Sequence, residues 1–181
     1  MVWLLSSGCV TKISQVNVYR FDSIGQSSTA NAAPKTKYGV TVVECDFDYE
    51  DEKFCTDSRL KSYATVMKER KPNFNGNQII YIFETNATGY VNKKPYRLVV
   101  IDPASKTVVP FSYSLSAATG SNGKPMIVNK KGDTIDFDFS IKSNRFCFSG
   151  DIDAYRMSDN YVDQPFCFKY DKSQKNMVRE Y

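Results

Sequence analysis

The chain has 181 residues, of which 41% are apolar and 14% aromatic, and its net charge is +4. That composition suits one folded domain with a sizeable core and excludes a disordered chain. The chain contains no histidine, which removes the Ser-His and Cys-His nucleophile pairs and every zinc site that needs imidazole.

In chain order, the first strand-like run is residues 14–21, followed by a flexible loop over 23–37 rich in Ser, Thr, Ala and Asn. Another strand is predicted over 40–49. One helix is predicted over about 57–70. Thr56 or Asp57 caps it, Leu60, Tyr63, Ala64 and Met67 form its apolar face, Lys61, Lys68 and Glu69 lie opposite, and Pro72 stops it. Short strands follow at 78–84 and 96–101. Residues 107–115 alternate apolar and polar, but Pro110 lacks a ladder donor, which predicts an edge or bulged strand. Ile135, Phe137, Phe139 and Ile141 alternate with Asp136, Asp138, Ser140 and Lys142, the pattern of a half-buried strand. Runs at 144–149, 154–157 and 165–170 complete the series, with Gly76-Asn77, Asp102-Pro103, Lys131-Gly132-Asp133 and Gly150-Asp151 among the turn signals. Short strands with a single helix predict a mainly β fold: one antiparallel β-sandwich or meander barrel, with 78–170 running as a meander.

Near the amino terminus, Leu4-Leu5-Ser6-Ser7-Gly8-Cys9 is an apolar run that gives way to small residues and then a cysteine. It resembles the lipobox of bacterial lipoproteins, with Leu5 one place further from the cysteine than is usual. The resemblance covers only this segment. It implies cleavage before Cys9, lipidation of Cys9 and attachment of the chain to a membrane by that lipid. On this reading residues 1–8 are the remnant of a signal peptide, 9–13 a lipidated tether and 14–181 a single β-rich domain. The residue after the cysteine is Val10 rather than Asp, which in lipoproteins favours the outer membrane, facing periplasm or cell surface. No run reaches the ~18 apolar residues of a membrane-spanning helix, so attachment would be at this end.

With Cys9 set aside, four cysteines remain: Cys45, Cys55, Cys147 and Cys167. Four cysteines allow three connectivities, and short loops close at lower entropic cost, which favours Cys45–Cys55 and Cys147–Cys167. Phe146-Cys147-Phe148 and Phe166-Cys167-Phe168 are the same triplet in two strand-like runs. Alternation puts both Phe rings of each triplet on one face and the sulfur on the other. Antiparallel pairing of the two runs would set the cysteines opposite each other. Disulfides persist in oxidising compartments such as the periplasm; the alternative is four reduced, buried cysteines of a cytosolic protein.

Chemistry is bounded mainly by what is missing. There is no P-loop, dinucleotide fingerprint or CxxC, and no cofactor is expected. The basic residues are scattered rather than set in a stripe with exposed aromatics, which argues against nucleic-acid binding. The acidic run Asp46, Asp48, Glu50, Asp51 and Glu52 lacks EF-hand spacing and reads as a solvated loop, not a metal site. Asn86-Ala87-Thr88 matches a glycosylation sequon, which carries little weight in a bacterial setting. Asp151, Asp153, Tyr155, Asp159, Tyr161 and Asp163 fall in the hairpin between Cys147 and Cys167 and are candidate partner contacts. The expected function is therefore non-catalytic: a lipid-anchored envelope protein whose β-domain binds another envelope protein, in an assembly, exclusion or inhibitor role. The alternatives are an envelope hydrolase using an Asp/Glu pair, or a soluble β-protein if the lipobox is misread.

Overall fold

A computed structural model describes residues 33–47, 52–85, 95–154 and 157–180. The lipobox with Cys9, the strand expected at 14–21, Asp48, Glu50, Asp51, the sequon at Asn86 and Tyr155 lie outside the described residues. The elements are β1 (Lys35–Lys37), β2 (Val40–Val42), α1 (Asp57–Glu69), β3 (Ile79–Glu84), β4 (Tyr96–Asp102), β5 (Thr107–Pro110), β6 (Ser114–Ser116), β7 (Asp136–Phe139), β8 (Arg145–Ala154), β9 (Met157–Asp171) and β10 (Asn176–Arg179). The strands form one curled sheet in the order β1-β2-β5-β4-β6-β8-β9-β10, with β3 branching from β4 and β7 from β8. The fold is mainly β with a single short helix among the described residues, as the periodicity predicts.

β4 is the spine. Leu98, Val99, Val100 and Ile101 are all fully buried, because both faces of the strand are covered. Leu98 and Val100 pack with Val109, Phe111, Phe146, Phe148, Phe166 and Phe168 in one core. Val99 and Ile101 point the other way, into a second core with Ile79, Phe83, Val108 and the helix residues Leu60, Tyr63 and Val66. The sheet therefore curls so that β8 and β9 close over one face of β4, while α1 covers the other.

The helix forms where its signals place it. The Thr56 hydroxyl accepts the Arg59 N–H at 3.3 Å, and the helix ends at Arg70, two residues before Pro72. Tyr38 (φ 56°) and Gly39 (φ 77°) make the two-residue turn between β1 and β2, in which both central residues take positive φ.

Four expectations need correction. The sheet is not wholly antiparallel: β2 pairs with β5 in parallel, Thr41 opposite Thr107 and Val42 opposite Val108. A parallel pair needs a crossover, and the chain between them, which includes α1, supplies it. The run at 107–115 is two strands, not one: Val99 faces Pro110 and Tyr96 faces Leu115, so extra residues bulge out between them. The loop expected over 23–37 ends in a strand, β1, and the segment after residue 171, for which no strand is predicted, contains β10. Both strands are short edges rich in Lys, Arg or Asn, whose polarity hides them from a search for apolar periodicity.

Candidate functional site

The hairpin of β8 and β9 dominates the second half of the molecule. Its base is in register as Phe146–Phe168, Cys147–Cys167 and Phe148–Phe166. All four Phe rings are buried in the core, and the Cys147–Cys167 disulfide joins the strands on the opposite face. The duplicated triplet thus takes up the arrangement that alternation requires. The second disulfide, Cys45–Cys55, closes a short loop in front of α1. The described structure is accordingly a β-domain braced by two disulfides.

The ladder breaks above the base. Register resumes at Gly150–Tyr161, so Val162, Asp163, Gln164 and Pro165 bulge opposite Ser149 alone. On its other side β8 changes partner at the same level, from β7 (up to Ser149) to β6 (from Asp151). Gly150 makes the change feasible. Its φ is +149°, and a Cβ there would lie 2.5 Å from the Ser116 carbonyl oxygen and 2.6 Å from the Phe148 ring.

The candidate contact residues do not form one surface. Asp151 and Asp153 share the face that carries the disulfide, opposite Ser116 and Ser114 on β6. Asp153 is only 4% exposed and so lies inside the fold rather than on a contact surface. Asp151 is half-buried and accepts a hydrogen bond from Asn160 Nδ2 at 2.6 Å. Asp159 stands opposite Ile152 and Tyr161 opposite Gly150, on the face turned towards the core. Asp159 and Asp163 are exposed. Tyr155 lies outside the described residues.

Tyr161 is the best-built member of the set. Its ring packs on Phe166 with centroids 4.5 Å apart, and its hydroxyl accepts from Arg179 Nη2 at 3.2 Å. The Arg179 guanidinium lies 4.2 Å over the Phe166 ring. Partial burial pushes the Tyr161 hydroxyl above the ordinary tyrosine range, as does a hydrogen bond to Asp159, against the opposing pull of Arg179. Sequence reasoning missed Arg179, which joins this group only because β10 runs beside β9 with Arg179 opposite Phe168. Aromatic and Arg side chains held half-exposed are the composition of binding hot spots.

On the disulfide face at the hairpin base, Glu180 bridges Arg145 and Lys169, which stand opposite each other across β8 and β9. Hydrogen bonds from Lys169 and Arg145 hold the Glu180 carboxyl below the usual glutamate range. Lys37 does the same to Asp57 at the start of α1.

No family model, curated protein or solved structure matches this chain. Among the described residues, no helix is long and apolar enough to cross a membrane. Among the same residues, no group of three or more His, Cys, Asp or Glu is placed to hold a metal ion.

Proposed function

We propose that this chain is a lipid-anchored protein of the bacterial envelope whose disulfide-braced β-domain binds another macromolecule rather than catalysing a reaction. The observation that carries the reading is the disulfide pattern. Cys45 pairs with Cys55 and Cys147 with Cys167, so of five cysteines Cys9 alone lies outside the two bridges. Two bridges suit an exported protein, and the remaining cysteine is the one in the lipobox-like segment. Lipidation at Cys9, followed by Val10, favours the outer membrane. The hairpin and the adjoining β10 offer the recognition surface, through Tyr161, Asp159 and Asp163 of β9 and Arg179 of β10.

Intact mass of the protein isolated from membranes tests the anchor and the bridges together. The expected mature form starts at Cys9, carries added acyl mass and gains four hydrogen atoms on reduction, one for each bridged sulfur. A full-length, unmodified chain with five free thiols would overturn the reading. Cross-linking in intact cells tests the binding role. A stoichiometric partner should be captured by the native chain and lost when the exposed part of the β8–β9 hairpin is shortened.

A further inference from the structure

β9 is the longest strand among the described residues, spanning Met157–Asp171, but β10 pairs with it only from Phe168 to Asp171. The Glu180 N–H extends that contact by one bond, to the Cys167 carbonyl (2.9 Å). Between residues 157 and 164, no described strand pairs with the outer edge of β9. The inner edge of residues 157–161 is in regular register with β8, from Ala154–Met157 to Gly150–Tyr161, and β8 is backed there by β6. An incoming strand would extend an existing platform.

This edge, without a partner among the described residues, has a defined chemistry. Asp159 and Asp163 are exposed along it, and Asp151 lies one strand further in. Asp159 also accepts the Asn160 N–H at 2.9 Å, so that donor is held by a side chain, not by a strand. Asp at an edge, the bulge at 162–165 and Pro165 are devices that deter pairing between copies of a chain. Acidic edges on two copies would repel, and like charges opposite each other destabilise a strand pair. The same carboxylates attract a strand carrying Lys or Arg. Beside the edge, Tyr161 and Arg179 form a half-exposed shelf on Phe166, which suits a neighbouring apolar side chain of the incoming segment.

We infer that the outer edge of β9, between residues 157 and 164, is a strand-addition site for an extended basic segment of a protein partner. The inference rests on the binding reading above and names the mode and chemistry of its contact.

The test uses the full chain with both disulfides formed and a synthetic hexapeptide, acetyl-Lys-Val-Lys-Tyr-Lys-Val-amide. Three control peptides are used: one with alternate backbone amides N-methylated, one with Glu for Lys, and one with Pro in place of both Val residues. The basic peptide should bind and should slow hydrogen exchange at residues 157–161. N-methylation should abolish both effects, because it removes the ladder donors, and the Glu peptide should not bind. The double variant Asp159→Lys/Asp163→Lys, checked for its native circular dichroism, should bind the basic peptide about ten-fold more weakly, a few-fold for each cross-strand charge pair. It should gain affinity for the Glu peptide.

Three results would overturn the inference: no protection at 157–161, equal binding of the N-methylated peptide, or exchange already fully slowed there without any peptide. The last would mean that another part of this chain pairs with the edge. The two proposals fail separately. A cellular partner captured through the hairpin but not displaced by the basic peptide would sink strand addition and leave the binding role standing. Peptide binding with edge protection but no cellular partner would support the edge chemistry and count against the broader role.

Discussion

The two disulfides brace regions of different kinds. Cys147 and Cys167 sit opposite each other inside the longest ladder among the described residues, flanked by buried Phe pairs. Cys45 and Cys55 join two points between β2 and α1 whose described flanks form no strand, and the only described backbone hydrogen bond across the loop is Phe54 N–H to the Cys45 carbonyl. The first bridge reinforces contacts that strand pairing already makes. The second ties together described residues, 43–47 and 52–56, that form no strand. It fixes Phe54 in the helix-side core and sets Thr56 in position to cap α1. Lys35, which donates to the Cys55 carbonyl at 2.9 Å, ties the same loop to β1.

Removing each bridge in turn is the strongest way to break this comparison. The sequence separations are 10 for Cys45–Cys55 and 20 for Cys147–Cys167. Chain entropy alone then assigns each about 3 kcal/mol, slightly more to the longer loop. Cys147→Ala/Cys167→Ala should lower global stability by about that amount in denaturant titration and leave the exchange pattern of the ladder recognisable. Cys45→Ala/Cys55→Ala should cost a similar amount and, in addition, speed amide exchange selectively in the first turn of α1. Equal, uniform changes in the two variants would remove the distinction.

A substitution at the hairpin's change of partners ranks next. Gly150→Ala adds a Cβ at φ +149° against the Ser116 carbonyl and the Phe148 ring. It should destabilise by roughly 2 kcal/mol or more, measured as a shift in the unfolding midpoint. Thr56→Ala probes the other region more gently. It deletes the hydroxyl that accepts the Arg59 N–H, for an expected loss of about 1 kcal/mol. That loss should shrink when the Cys45–Cys55 bridge is absent, because cap and bridge then no longer act on the same positioned turn.

The smallest effect is electrostatic. The Glu180 carboxyl is held below its ordinary value of 4.5 by Lys169 and Arg145. A depressed folded-state pKa contributes stability that is complete above the unfolded value and is lost as pH falls through the folded one. The native protein should therefore lose a small increment of stability from about pH 4.5 downward, and Glu180→Gln should flatten that part of the profile by removing the same small increment at neutral pH. Glu180 is solvent-accessible at the hairpin base, so screening keeps the effect minor.

Legibility followed regularity. The Phe-Cys-Phe triplets specify a register because strand side chains alternate with period two. The helix was legible from Thr56, the apolar positions Leu60 and Tyr63, and Pro72, all of them local signals. The candidate contact set was less well placed. Counting Asp153 among exposed residues ignored β6, which approaches from far along the chain and buries it. Arg179 carried no local signal. Its place over Phe166 depends on β10 finding the edge of β9.

What the sequence determined by itself is what neighbouring residues encode: β-rich composition, one capped helix, the absence of imidazole chemistry, and a duplicated triplet that pairs its cysteines. Tertiary structure alone decided which faces are covered. It made β4 a spine buried on both sides, set β2 parallel to β5, moved β8 from β7 to β6 at Gly150, and left the outer edge of β9 without a described strand. These outcomes depend on contacts between residues distant in the chain. Local periodicity states that a strand has two faces, but not what will come to lie against either of them.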